Sequence, residues 1–281
     1  MKCTVFRKNA VAIILTPLLL CLLFPVALPG QGPWKTLDRG LYLGRFKPII
    51  KSRIHDCDVI IIKIDPKAYE FNLLCASEHG GKLRTIKHWV EEFDLMTSIN
   101  AGMYQASDFS KSTGYMRNYG HVNNPYINPS YGAFMVFNAK DPKLPDVQIV
   151  DRRLQEDWRS LIEKYHSVIQ NYRMISYGKK RGWPQQEQVS SAAAIGMDRD
   201  GHVLFILSRS PYSIHDFIQI LLALPIQIQS AMYVEGGPQA SLVLKTHEEA
   251  SIWIGDREGE SYEAAPVCEI PNVVGVKKRE N

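Results

Sequence analysis

Apolar residues recur along this chain in two rhythms. Short blocks with period two, or unbroken over four to eight residues, read as strands. "CDVIIIKIDP" (57–66) and "KAYEFNLLC" (67–75) read as two strands around a turn at Asp65-Pro66-Lys67. "YGAFMVFN" (131–138), "SAMYVEGG" (230–237) and "ASLVLK" (240–245) read as further strands. "VSSAAAIGMDRDGHVLFILSRS" (189–210) reads as a hairpin closed at Asp198-Arg199-Asp200-Gly201. The helical rhythm is sparser. Ile86, Trp89, Val90 and Phe93 stand at i, i+3, i+4 and i+7. The stretch 154–172 reads as a helix over much of its length. "PYSIHDFIQILLAL" opens another, with Ser213 and Asp216 as an S-x-x-D capping box and Pro225 as its stop. The box gives Asp216 a structural task, and His88 and His166 fall off the apolar stripes as exposed or satisfied side chains.

Strands outnumber helices, and hairpins dominate. The expected class is α+β: a mixed, largely antiparallel sheet with at least three helices in a single domain over 56–270. An irregular lead-in with Gly32, Pro33, Gly40, Gly44 and Pro48 precedes it at 31–55, and a solvated tail follows at 271–281. Residues 105–130 are dense in Gly, Asn, Ser and Tyr and read as a long loop. A loop of that length inside a compact domain is usually functional or disordered, and its aromatic and hydrogen-bonding side chains argue against disorder.

The first thirty residues stand apart. Lys2, Arg7 and Lys8 precede "VAIILTPLLLCLLFPVAL", an apolar run broken at Pro17. This is the layout of a secretory signal, and the run is also close to the length of a membrane anchor. Either reading places the remainder in the periplasm or outside the cell, with membrane contact only through an uncleaved N-terminal segment. Three of the 33 basic residues and none of the 29 acids lie there, so most of the formal charge of +4 belongs to this segment. The rest is close to neutral, which leaves no electrostatic case for nucleic acid. Cys57 and Cys75 flank Pro66 at equal separations and could pair across a hairpin, or stand as two apolar thiols at strand ends; Cys268 is left over. No Cys or His spacing supports a metal, and no cofactor is expected.

Three polar clusters end apolar strands: Asn100, Gly102 and Tyr104; Ser190-Ser191 with Arg209 and Tyr212; and Glu235-Gly236-Gly237-Pro238-Gln239, followed by Ser241. Glycine after a strand lets backbone N–H groups face an anion with no Cβ in the way. Arginine offers a fork suited to phosphate or carboxylate. Glu235 is the one acid that a strand end would aim into a pocket.

The motifs "INAGMYQ…STGYMRNYGHVNN…GAFMVF", "AAAIGMDRDGHVLFILS" and "AMYVEGGPQASL" resemble, in order and spacing, the bacterial branch of the phosphodiester glycosidase family, from about residue 57 to 257. The family's Asn-Gly-Gly-Phe-Phe stands here as Asn100-Ala101-Gly102-Met103-Tyr104. Its aliphatic-Gly-x-Asp-x-x-Gly hairpin is Ile195 to Gly201. Its Leu-Asp-Gly-Gly-Gly-Ser-Ser is Val234-Glu235-Gly236-Gly237-Pro238-Gln239-Ala240. Glutamate replaces aspartate, proline replaces the third glycine, and an arginine before the aliphatic-Gly strand is replaced within Ser191-Ala192-Ala193, which marks a divergent subgroup.

The resemblance implies an exported hydrolase that cleaves a sugar-1-phosphodiester at the anomeric carbon, on an envelope or extracellular glycan. Its partner would be a carbohydrate or sugar phosphate. Glu235 would be catalytic as nucleophile, base or electrostatic stabiliser. Gly236, Gly237 and Arg209 would hold phosphate oxygens; Asn100, Tyr104 and Gln239 would bind hydroxyls; Gly102, Ser191, Tyr212 and Ser241 would complete the substrate-binding set. The alternatives are a non-catalytic envelope protein that binds glycan or sugar phosphate, and a purely structural periplasmic domain.

Overall fold

Every strand ladder among the described residues is antiparallel. The computed structural model describes residues 33–52, 57–180, 182–246, 250–256 and 267–280. The proposed signal or anchor at 1–30 lies outside them. Residues 33–281 form one compact unit. It is predominantly β, about half strand, with three short α-helices among the described residues.

A 12-stranded sheet runs, from its edge inward, through Trp34–Asp38, Leu41–Phe46, Val59–Ile64, Val203–Tyr212, Ser190–Asp198, Ile228–Gly236, Tyr165–Ser176, Ala133–Ala139 and Val147–Asp151. A 5-stranded sheet runs Ala250–Ile254, Ser241–Lys245, Thr97–Asn100, Asn272–Lys278 and Tyr69–Cys75. The two pack face to face. Ile60, Ile62, Phe205, Leu207, Met232 and Val234 of the large sheet meet Phe71, Leu73, Ile99, Leu242 and Val274 of the small one in a single buried core. Alternation decides which residues go there: on one strand Met232 and Val234 face inward, while Ala231 packs on the outer face.

Helices cover the outer faces. Ile214–Ala223 lays Phe217, Ile218 and Leu221 on the large sheet, and Ile86–Glu92 lays Ile86, Trp89 and Val90 on the small one. The short helix Trp158–Ile162 closes a third cluster against Phe134 and Val150. The capping box is present: Ser213 Oγ accepts from the Asp216 N–H at 3.1 Å. His88 is exposed, and His166 stacks on Tyr119.

Several expectations change. The 57–75 segment is not a hairpin: the turn at Asp65–Ala68 hands the chain from the large sheet to the small one, so Cys57, just before a strand of the large sheet, and Cys75, at the end of a strand of the small one, are free thiols. The stretch 154–172 is helical only over Trp158–Ile162. From Tyr165 it becomes a 12-residue strand, because Val168, Ile169 and Tyr165 are buried between neighbouring strands rather than on a helix face. The lead-in contributes two strands, 34–38 at the edge of the large sheet and 41–46 between it and Val59–Ile64. The expected tail contains Asn272–Lys278, a strand paired on both sides by Tyr69–Cys75 and Thr97–Asn100. The 105–130 loop carries short strands at Asp108–Ser112, Met116–Asn118 and His121–Asn124, held by the buried amides of Asn123 and Asn124.

Candidate active site

Glu235 ends an apolar strand, and a bulge aims it. The 228–236 strand pairs Ala194 with Tyr233 but Ala193 with Glu235, so one extra residue is accommodated at Val234. In a regular ladder Glu235 would share the face of Tyr233; the bulge sets it opposite Ala193, which lies in the core between the sheets. Glu235 is 8 % exposed. Burial pushes it up to about 7, and a hydrogen bond from the Gly236 N–H at 2.9 Å pulls it part of the way back.

The turn behind Glu235 is built for close contact. A Cβ on Gly236 would collide with the Tyr233 hydroxyl, and one on Gly255 would collide with the Gly237 carbonyl. Gly237 itself has φ +61°, where a side chain is strained. Two anchors hold the turn. Asn100, 1 % exposed, donates from Nδ2 to the Gln239 carbonyl at 3.0 Å and accepts the Ser241 N–H at 2.8 Å. Ser191 donates to the Arg209 carbonyl and accepts the Asp256 N–H at 2.7 Å. Strand ends from both sheets therefore converge on residues 235–241.

The Glu235 charge reaches three phenols. Tyr104, Tyr131 and Tyr233 are each raised first by burial and further by the Glu235 charge. Tyr104 shares a hydrogen bond with Gln239. The Tyr131 hydroxyl bonds Thr113 at 2.8 Å, and its ring packs on Tyr172 with centroids 4.3 Å apart. Gly102 allows another close approach. Asn171 donates to the Ala101 carbonyl at 2.8 Å, and its buried Oδ1, which accepts no hydrogen bond among the described residues, lies where a Gly102 side chain would stand.

The sequence-proposed residues thus divide. Glu235, Gly236, Gly237, Gln239, Asn100, Tyr104, Ser191 and Ser241 come together, with Gly102 beside them. Asn100 and Ser241 spend their polar groups on the turn. Arg209 enters through its carbonyl. Tyr212 lies apart: it packs in the outer-face core and donates to the Ile50 carbonyl at 3.0 Å. Tyr131, Asn171, Tyr172 and Tyr233 were not singled out from sequence. The reading of 154–172 as helix hid the strand that carries two of them.

At the far end of the same hairpin, Asp198, Asp200 and His202 place possible ligand atoms within 4.8 Å of one another. Asp198 is spent there, accepting the Asp200 and His202 N–H groups to close the turn and bonding the His202 ring.

Fold and site define a predominantly β protein, two large sheets around one core, with a buried acid on a bulged strand end that is followed by glycines. The chain belongs to the phosphodiester glycosidase family, whose model matches residues 94–277. Its fold is similar to that of the zebrafish N-acetylglucosamine-1-phosphodiester alpha-N-acetylglucosaminidase catalytic domain, at TM-score 0.62 and 14% identity over 87% of this chain and 86% of that one. It is also similar to a hypothetical protein from Synechocystis, at TM-score 0.59 and 15% identity over 88% of this chain and 64% of that one. A curated isopenicillin N synthase from Streptantibioticus cattleyicolor is 24% identical over 147 residues, 49% of this chain and 45% of that protein. The chain thus spans less than half the length of that relative, and no activity is carried over from it.

Proposed function

We propose that this protein hydrolyses a sugar-1-phosphodiester at the anomeric carbon, releasing the free sugar and a phosphate monoester. The observation that carries the reading is the buried carboxylate of Glu235, aimed by the bulge and backed by a glycine turn. Glycosidases that expel an alkoxide need a second carboxyl group to protonate it. A phosphodiester leaves as a stabilised anion, so one carboxylate suffices. The C1–O bond breaks with its electron pair going to the phosphate oxygen, and water supplies the new C1–O bond and loses a proton.

Ionised Glu235 serves the positive charge that develops at C1, whether by stabilising it, attacking it or taking the proton from water. The N–H groups of Gly236 and Gly237, with the Arg209 guanidinium, are assigned to the phosphate oxygens. Tyr104 and Gln239 are assigned to sugar hydroxyls, with Asn100, Ser191 and Ser241 holding the turn in place. The N-terminal segment supports action outside the cytoplasm, on an envelope or extracellular glycan.

The departures at Glu235 and Pro238 favour a second reading, in which the pocket binds a sugar phosphate without cleaving it. Hydrolysis in ¹⁸O-labelled water tests the first. The expected label is on the sugar's anomeric hydroxyl. Label in the phosphate would mean cleavage at phosphorus, and no turnover with retained binding would favour the second reading.

A further inference from the structure

One corner of the large sheet carries a surface that the site does not use. Trp34 opens the edge strand and packs edge-on against Phe46, the last residue of the next strand, with ring centroids 5.1 Å apart. The chain then leaves the sheet through Lys47-Pro48-Ile49-Ile50-Lys51. Ile49 is 66 % exposed, more than any other large apolar side chain among the described residues. Exposed lysines flank it at 47 and 51, and Arg45 is exposed just before Phe46. None of these three bases has an ion-pair partner among the described residues. A fourth base, Lys63, lies over the rings of Trp34 and Tyr42 at 4.5 and 5.0 Å. The acids on this side are Asp58, at the start of the third strand, and Glu187, across a groove from Lys51, so positive charge is in excess.

A bare isoleucine between two lysines is a poor centre for a protein interface, where lysine is depleted. It suits the boundary of a bilayer. There an apolar side chain enters the acyl region, lysine stems lie along it with their ammonium groups at the phosphates, and Trp and Tyr rings sit at headgroup level. The sequence agrees with this placement. The apolar run 11–28 ends five residues before Trp34, which is at most about 18 Å of extended chain.

We propose that this corner docks on the anionic headgroup surface of a lipid bilayer, with Ile49 entering the boundary and Arg45, Lys47 and Lys51 meeting lipid phosphates. The contact is separate from any that the N-terminal segment makes, and it does not depend on the hydrolytic reading. It has a consequence for that reading. One row of register partners, Phe46, Val59, Ser208, Ala192 and Gly236, crosses the sheet from the corner to the Glu235 turn. Four strand spacings of about 4.8 Å make that roughly 19 Å. Docking therefore holds the acid near the membrane surface, where a lipid-linked or wall-linked phosphodiester is within reach.

The test is amide hydrogen exchange of the full chain on vesicles of phosphatidylcholine alone and of phosphatidylcholine with phosphatidylglycerol. Exchange over residues 46–52 is expected to slow at least about fivefold on the anionic vesicles relative to the neutral ones. The slowing should vanish in Lys47→Glu with Lys51→Glu and fall in Ile49→Ser, all exposed changes, while exchange in Val203–Tyr212 reports an intact fold. Equal exchange on both vesicles, or slowing that survives the double variant, overturns the proposal. Slowing reproduced by soluble polyphosphate would assign the corner to an anionic polymer and overturn it too. The slowing should persist in Glu235→Gln, so absence of turnover with the slowing intact removes the hydrolytic reading and keeps the docking.

Discussion

At Glu235 the fold prefers the protonated form. The carboxyl moves from an ordinary 4.5 to about 7 on burial. Between those values the folded chain binds a proton that the unfolded chain has lost, so stability falls as pH rises through the window. The contribution is full below about 4.5 and gone above about 7, a difference of roughly 3 kcal/mol. Glu235→Gln is therefore expected to raise Tm at pH 8 and to leave it nearly unchanged at pH 4.5. An equal effect at both values, measured by thermal melts, would contradict the burial argument. Activity should run the other way: kcat/KM rises with pH through about 7, because the ionised form serves the reaction.

At the scale of elements, the bulge and the 236–240 turn set the site. Gly255 is the sharpest test, since its Cβ would strike the Gly237 backbone carbonyl and nothing flexible stands there to yield. Gly255→Ala should cost about 1–3 kcal/mol of stability and displace the turn. Gly120→Ala, which meets open space at an ordinary φ, should stay within about 0.5 kcal/mol. Denaturant titration of the pair decides the matter, and equal costs would contradict the close approach. The turn was legible from "EGGP", since glycines after a strand signal near contact. The bulge was not, because the extra residue, Val234, is itself apolar and simply lengthens an apolar run. Residues 154–172 misled for a related reason: Trp158, Leu161, Ile162 and Tyr165 keep helical spacing across the point where the helix ends and a strand begins.

At the scale of the molecule, the chain is two sheets sharing one core, with helices on the outer faces. Cys57 hangs from the Ser210 hydroxyl by its N–H, while Cys75 lies buried near Met116 in the other sheet. Tm should accordingly be the same with and without reductant, and a fall of several degrees on reduction would contradict the sheet assignment. Individual strands could be read from sequence because alternation and β-branched runs are local. The partition between sheets could not, since the Asp65–Ala68 turn looks the same whether it closes a hairpin or crosses a sandwich. The strand at 272–278 was missed because its charged end resembles a tail, while its pairing partners lie about 175–200 residues away in the chain.

The most direct measurement of the central claim is turnover of a sugar-1-phosphodiester by wild-type protein and by Glu235→Gln at pH 7.5. One buried carboxylate doing the chemistry predicts release of free sugar by the wild type and a loss of several powers of ten in kcat for the variant, with binding retained and Gln239→Ala costing far less. A variant that turns over within tenfold of wild type would contradict it.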